Sequence, residues 1–412
     1  MPIRMPGHPS NASLSAARAL DAPQVPVTLV CGAVGAGKTQ VLEHWMRSRA
    51  GTRFAVIAEA ASARSGSGSY ERPAVVFHTR EAIEAVLTRQ IGAADQHSPR
   101  GALWQQLASG QIDEVLVEVS AHVEPASLAL VLDSRYPGHV LVDRLTLNRI
   151  VTVVDCATVQ DDYASTAALA ERHAHVDASD TRTVANVVAA QIESADIVVL
   201  NKIDRAGVRR VREVHDIVGV LNPDAIRVET SFGEMHTDHG VDRRGAMRVG
   251  DYRPGWLRKL DQPLPATGVY AVARLVYRRR RPFHPERLAR FLDTDWPWAL
   301  RVRGQFWLAS RPEWAGDIQQ AGCSVAIQPF GYWWASEAVG GAMPDEPGLR
   351  RELDACWHPL YGDRRQHIAI LGIDFDTAAM EKRLDYCLLN DTELAAGWAG
   401  WRDLRDPWPV WA

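Results

Sequence analysis

The first half of the chain alternates short β-branched apolar runs with segments whose apolar residues recur at helical spacing. This is the pattern of a parallel sheet covered by helices. Val27–Cys31 predicts the first strand, and Glu114–Val119, Ile150–Val154 and Asp196–Leu200 predict three more. Each is a near-continuous apolar run, as expected where both faces of a sheet are covered. From Thr39 to Arg49, residues Val41, Leu42, Trp45 and Met46 fall on one helical face. The Gly/Ser-rich segment Ser62–Tyr70 predicts a mobile loop. A polar stretch from Gly233 to Pro254 and a proline-rich joint at Asp261–Pro265 separate the halves. Beyond them Val269–Tyr277, Gln305–Ala309, Ser324–Gln328 and His367–Ile373 predict strands. Pro285–Asp293 predicts a helix opened by proline. Thr377–Leu389 predicts another, with Ala378, Met380, Leu384 and Leu388 at roughly helical spacing. The second half is thus expected to be a smaller α+β domain, and no internal repeat is present.

Composition narrows the function classes. At 412 residues the chain is too long for one core, so two or three domains are expected. A net charge of −4 argues against a general affinity for nucleic acid or an anionic membrane. The 5 cysteines are scattered, without a CxxC pair or zinc-finger spacing, which points to reduced thiols and a cytoplasmic setting. Residues 1–24 lack a long apolar stretch and read as a flexible tail rather than a signal peptide. No run approaches the length needed to cross a bilayer. The 14 tryptophans crowd into the second half, where Trp296, Trp298, Trp307, Trp333 and Trp334 are expected to build the small core.

The chemistry is written in three motifs. Gly32-Ala33-Val34-Gly35-Ala36-Gly37-Lys38-Thr39 satisfies GxxxxGK[ST] between a predicted strand and a predicted helix. Glycines let successive N–H groups turn inward around phosphates, and the following helix presents its positive end. Lys38 is expected to reach the β- and γ-phosphates and the Thr39 hydroxyl to ligate Mg²⁺. Gly32, Gly35, Ala36, Gly37 and Gln40 complete the phosphate cradle. Asn201-Lys202-Ile203-Asp204 closes the strand ending at Leu200 and matches NKxD. An aspartate at that place accepts from N1–H and the exocyclic amine of guanine, which adenine does not offer. GTP and GDP are therefore expected over ATP, with Asn201 and Lys202 bracing base and loop. Between these motifs, Val115–Val119 is an apolar strand carrying Glu118, placed as a Walker B carboxylate for Mg²⁺ and, with Lys38, as the catalytic pair.

Together these elements resemble the CobW-type metal-chaperone GTPases, whose P-loop, ExxG switch, VDA-type strand and NKxD motif occur in this order. Here they read GAVGAGKT, EVSAHVEP (Glu118–Pro125), TVVDCA (Thr152–Ala157) and QIESADIVVLNKID (Gln191–Asp204). In the later half Arg280–Arg287, Phe306–Pro312, Gly362–Gln366 and Cys387–Asp391 resemble the branch associated with zinc-limitation responses. The resemblance implies a P-loop NTPase domain over 25–245, a linker over 246–266 and a CobW-like α+β domain over 267–412. It implies slow GTP hydrolysis coupled to delivering metal to, or remodelling, a client protein. Two alternatives stand beside it: a non-metal regulatory GTPase acting on a protein or ribosome-associated partner, and an activator of a nitrile hydratase.

Three departures from the family pattern bear on the metal. The CxCC tract corresponds here to Ala74-Val75-Val76-Phe77-His78-Thr79-Arg80, without a cysteine. The segment after Val56-Ile57-Ala58-Glu59 is short and has alanine where asparagine is usual, and Ala121 replaces the ExxG glycine. His78, His122, His236 and His239 are the remaining candidate ligands in the first domain, and they compose no zinc motif. Zinc is thus compatible with the family but has no motif of its own. Arg278–Arg281 is expected to be a solvated strand end or to serve intramolecular acids, rather than to bind nucleic acid.

Overall fold

The apolar runs of the first half lie side by side in one parallel sheet of seven strands. The structure, a computed structural model, describes residues 24–59, 74–79, 83–91, 98–133, 140–172, 176, 180, 182–234, 272–294, 299–322, 324–336 and 347–411. The segments Ser62–Tyr70 and Asp261–Pro265, most of 233–254, and residues His236, His239, Trp296 and Trp298 lie outside the described residues. The chain divides into two units between Val269 and Tyr270.

In the first unit β1 (Val25–Gly32) leads through a glycine-rich loop into α1 (Lys38–Ser48). There follow β2 (Phe54–Glu59), β3 (Ala74–Thr79), α2 (Ile83–Thr88), α3 (Pro99–Ala108), β4 (Glu114–Glu118) and α4 (Pro125–Asp133). A short 3₁₀ turn precedes β5 (Leu145–Asp155), then come α5 (Val159–Tyr163), α6 (Leu169–Arg172) and α7 (Val184–Glu193). The unit closes with β6 (Ile197–Asn201), α8 (Ile203–Leu221) and β7 (Ile226–Glu229). The sheet order is β3-β2-β4-β1-β5-β6-β7, so β1 stands between β4 and β5. The chain moves outward on one side of β1 and then on the other, which opens a crevice at the carboxyl ends of the central strands. Successive residues of β1 alternate between two cores. Val27 and Leu29 join Val115, Val117 and Ile150 on one face, and Val30 joins Val41, Leu42 and Trp45 of α1 on the other. Burial on both faces is why these strands read as unbroken apolar runs.

The second unit is an antiparallel sheet with order β11-β10-β9-β12-β8. Its elements are β8 (Val272–Arg279), α9 (Pro285–Leu292), β9 (Ala299–Phe306), β10 (Trp314–Ala321), β11 (Ser324–Tyr332), α10 (Pro347–Cys356), β12 (Gln366–Ile373) and α11 (Thr377–Cys387). Helices α12 (Asp391–Ala395) and α13 (Gly397–Arg402) follow. Trp307 and Trp333 are fully buried and share a cluster with Trp401, and Phe283, Phe306 and Ile370 form the other core.

Two expectations for this unit are corrected, and one strand is additional to those expected. The strand expected at Gln305–Ala309 runs instead over Ala299–Phe306. Its first residues hide their strand character because Arg301 is fully buried and donates to the Gln320 carbonyl at 3.1 Å. Residues 307–309 leave the sheet to pair with Phe283, whose N–H donates to Trp307 O and whose carbonyl accepts from Ala309 N. The helix expected to reach Leu389 ends at Cys387, because Leu388 is extended and bridges Phe283. Strand β10 has Asp317, Gln319 and Gln320 among its residues, and its polar sequence gave no strand signal. Three of the four arginines in the run Arg278–Arg281 serve internal partners: Arg279 binds Asp385 and Glu381, Arg280 two main-chain carbonyls, and Arg281 Asp391, while Arg278 is exposed.

Candidate functional site

The loop after β1 turns back on itself through left-handed backbone. Gly32, Gly35 and Gly37 have φ of 143°, 78° and 101°. A Cβ on Gly32 would lie 2.3 Å from the Val153 carbonyl oxygen, and one on Gly37 would lie 2.4 Å from Asn201 Nδ2. Glycine is required at both places by conformation and by space. Lys38 is only 8% exposed. Its Nζ donates to the carbonyls of Gly32 at 3.0 Å and Ala33 at 3.1 Å, which lays the ammonium across the mouth of the loop. Thr39 follows in the first turn of α1 and donates from Oγ1 to Glu118 at 3.0 and 3.3 Å. Glu118 is the last residue of β4 and is 2% exposed. Hydroxyl and carboxylate are hard oxygen donors, the set that Mg²⁺ takes together with phosphate oxygens. Gln40 is exposed in the same turn.

The NKxD turn is tied to this loop from the side of β6. Asn201 is fully buried. It donates from Nδ2 to Ala36 O at 2.8 Å and accepts at Oδ1 from the Gly233 N–H at 3.1 Å. Lys202 has a left-handed φ of 58°, and its Nζ donates to Gly35 O and to Asp155, both at 2.6 Å. Asp204, in the first turn of α8, is exposed and carries its carboxylate beyond the strand end. The structure therefore brings every one of the expected nucleotide residues to the carboxyl ends of β1, β4 and β6. The stretch Ala74–Thr79 forms strand β3 at the edge of the sheet.

Several residues of the site were not legible as such. Gln191 of α7 is buried and donates from Nε2 to the carbonyls of Ala121 and Val123, both at 3.1 Å. It thereby pins the loop that follows Glu118. Only its place at the head of the run leading to NKxD marked it. The loop Thr230–Gly233 packs beside the NKxD turn through Ile203 N and Asn201 Oδ1. A Cβ on Gly233 would come within 2.9 Å of Val41 N, and its neighbour Phe232 is 68% exposed with a φ of 57°. A bulky residue held left-handed is a strained choice, and such strain gathers at binding sites.

Ala121 is not among the described non-glycine residues with positive φ, so the missing ExxG glycine leaves no backbone strain behind. Ala121→Gly, at this half-buried position, is accordingly expected to leave thermal stability within about 1 kcal/mol of the parent, the ordinary range for a Gly/Ala exchange at a compatible backbone. It is expected to raise either the hydrolysis rate or the difference between GTP- and GDP-bound forms in hydrogen exchange. Identical rates and identical exchange would show that the departure is silent.

The described cysteines of the first unit are poor metal ligands. Burial pushes the Cys31 thiol far above its ordinary range. Burial, with the charges of Asp155 and Glu229, pushes Cys156 up to about 12. Both remain protonated near neutrality, whereas zinc takes the thiolate. Among the described residues no group of three or more His, Cys, Asp or Glu converges on one point. No described helix is long and apolar enough to cross a membrane.

A P-loop after the first strand of a parallel sheet, with NKxD at the end of another, defines a nucleotide-binding protein of the guanine type. Two family models match the chain: the CobW/HypB/UreG nucleotide-binding domain over residues 26–229 and the cobalamin synthesis protein cobW C-terminal domain over residues 272–388. The chain belongs to the CobW family. It is 29% identical over 409 residues to the zinc-regulated GTPase metalloprotein activator 1 of Dictyostelium discoideum, covering 93% of this chain and 84% of that protein. It is 28% identical over 310 residues to a zinc chaperone of Mycobacterium tuberculosis, covering 73% of this chain and 72% of the relative. Among solved structures, the Zn(II)-bound YjiA GTPase from E. coli aligns over 89% of this chain and 99% of its own, at 17% identity and a TM-score of 0.37.

Proposed function

We propose that the chain is a GTPase switch of the metal-chaperone type, which delivers metal to, or remodels, a client protein. Its nucleotide domain spans 25–245, a linker spans 246–266, and the domain over 267–412 engages the client. One observation carries the nucleotide assignment. Asn201 and Lys202 bond directly to the carbonyls of Ala36 and Gly35, so the base-reading turn and the phosphate loop form one rigid body. A nucleotide with guanine at Asp204 then lays its phosphates on Gly32–Thr39.

The residue roles follow from that geometry. Lys38 exchanges its two carbonyl partners for the β- and γ-phosphates and neutralises charge that grows on them as the bond breaks. Thr39 and Glu118 are the residues that would hold Mg²⁺, which when bound would supply positive charge against the phosphates. Gln191 keeps the loop after Glu118 fixed to α7, and the Asp155–Lys202 pair holds the lysine against the P-loop. The sequence carries no evident water-positioning glutamine and has Ala121 in place of the switch glycine, so the isolated protein is expected to turn over slowly, on the order of 10⁻⁴ per second.

Zinc is the proposed cargo by analogy with relatives named for it, yet the tract over Ala74–Thr79 offers no thiolate. This absence favours a second reading in which the switch remodels its client without holding metal itself. Equilibrium dialysis of the full chain against a zinc chelator of nanomolar affinity, with GTP, with GDP and without nucleotide, separates the two. No stoichiometric zinc is expected in the first domain in any of the three states. One zinc retained per chain would restore the metal-carrying reading. Zinc lost on replacing His236 or His239 would mark an adventitious loop site.

A further inference from the structure

Helices α9 and α11 lie against one another on the second unit and leave an open groove of ≈ 360 Å³ between them. Arg287, Arg290, Lys382 and Arg383 line it, with Phe291 and Tyr386 as its apolar walls. The two helices sort their charges by face. The acids of α11, Glu381 and Asp385, turn to Arg279 of β8, each at 2.8 Å. Its bases turn to the groove.

The groove keeps a surplus of positive charge. Arg287 is neutralised by a two-pronged bond to Glu393 at 2.8 and 2.6 Å. Among the described residues Arg290 pairs with Glu286 alone, at 3.7 Å, and that carboxylate is shared with Arg405 at 3.3 Å. Lys382 and Arg383 are exposed, and neither forms an ion pair among the described residues. Arg383 instead donates to the Thr294 hydroxyl and stacks 5.0 Å from the centre of the Phe291 ring. Tyr386, 76% exposed, stands at the rim, with the Arg287 guanidinium 6.0 Å from the centre of its ring. The floor is inert: Cys387 is buried, and burial pushes its thiol up to about 11.

We propose that this groove is a docking site for an acidic peptide segment of a partner protein, one that carries an apolar anchor residue. Lys382 and Arg383 of α11, with the weakly paired Arg290 of α9 facing them, complement a row of carboxylates, and an exposed tyrosine flanked by arginine is the composition of an interface anchor. Nucleic acid fits less well. The chain carries a net charge of −4, and the groove offers one exposed ring, where single strands are held by a succession of stacking platforms. The site rests on the proposed function only in calling the partner a client.

The test uses the full-length protein and a fluorescein-labelled peptide of about ten residues, alternating Glu and Leu, long enough to run the groove. Fluorescence anisotropy is expected to report binding that weakens as salt rises, because exposed charges are screened. Arg290→Glu/Arg383→Glu is expected to weaken it by at least about tenfold, and Tyr386→Ala by about fivefold or more. Arg278→Glu, an exposed arginine outside the groove, is expected to change nothing. The neutralised set Arg290→Gln/Lys382→Gln/Arg383→Gln guards against misfolding of the reversed variant, with melting temperature as the check. Peptide affinity unchanged in both sets overturns the proposal. So does tighter binding of poly(U) RNA that the same substitutions abolish, or full displacement of the peptide by inorganic phosphate. Peptide binding in a protein that hydrolyses no GTP would defeat the switch reading and leave the groove assigned.

Discussion

Lys38→Ala is expected to lower GTP and GDP affinity by at least about 100-fold, because a buried charge-assisted contact to two phosphates is worth about 3 kcal/mol or more. The geometry makes the effect specific. The ammonium sits across the loop on the Gly32 and Ala33 carbonyls, and it is the single P-loop side chain with reach and charge for the β- and γ-phosphates. The left-handed glycines that shape the cradle are untouched by the substitution. The melting temperature without nucleotide should therefore fall only modestly, through the two carbonyls that lose a donor. The stabilisation conferred by saturating GDP should vanish with the binding. Calorimetric titration of both proteins, paired with a thermal melt, measures the two effects separately. Unchanged affinity in a well-folded variant would mean that the loop is not a phosphate cradle.

Asp204→Asn is expected to weaken guanine nucleotides by about 100-fold and to bring xanthosine triphosphate to comparable or better affinity. The aspartate can accept from two N–H groups on guanine, and charged hydrogen bonds of this kind contribute about 1.5–3 kcal/mol each. An asparagine presents one donor in place of an acceptor, which suits the additional carbonyl of xanthine. The parent protein should discriminate against ATP by a factor on the order of 10⁴, since adenine would leave the carboxylate facing its acceptor N1. Competition of each nucleotide against a fluorescent GDP derivative supplies the comparison. Equal affinity for ATP and GTP in the parent would remove the guanine assignment, whatever the variant does. The two substitutions touch opposite ends of the nucleotide, so their failures point to different errors.

The parts of the site that were legible share one property: the chemistry demands adjacent residues. A phosphate cradle needs consecutive N–H groups, so GAVGAGKT had to be contiguous. A base-reading turn needs its aspartate a fixed step beyond the strand, so NKID had to be contiguous as well. Four strands of the parallel sheet, β1, β4, β5 and β6, were legible for a related reason, since burial on both faces leaves no polar position to interrupt the run, whereas β2, β3 and β7 were not expected. Where burial is two-sided but the residues are polar, the pattern fails. Arg301 is fully buried in β9, and Asp317, Gln319 and Gln320 pair within β10. There the backbone ladder and side-chain hydrogen bonds, rather than hydropathy, hold the strands. The strand expected at Gln305–Ala309 is displaced because the apolar residues Trp307–Ala309 lie beyond the true end of β9 at Phe306.

The sequence by itself determined four central strands of the nucleotide unit, the phosphate loop, the base-reading turn and the missing thiolates of the tract over Ala74–Thr79. Each is a statement about neighbours in the chain, where spacing alone carries the physical requirement. Only the tertiary structure decided which distant groups meet. It set Thr39 against Glu118, Lys202 against Asp155, Gln191 under the carbonyls of Ala121 and Val123, and Gly233 against Asn201. It also turned the acids of α11 inward to Arg279 and left its bases facing an open groove. Such pairings depend on the order of strands in the sheet and on the rotation of each helix about its axis. Those are fixed by the packing of whole faces against one another, and no short stretch of residues contains them.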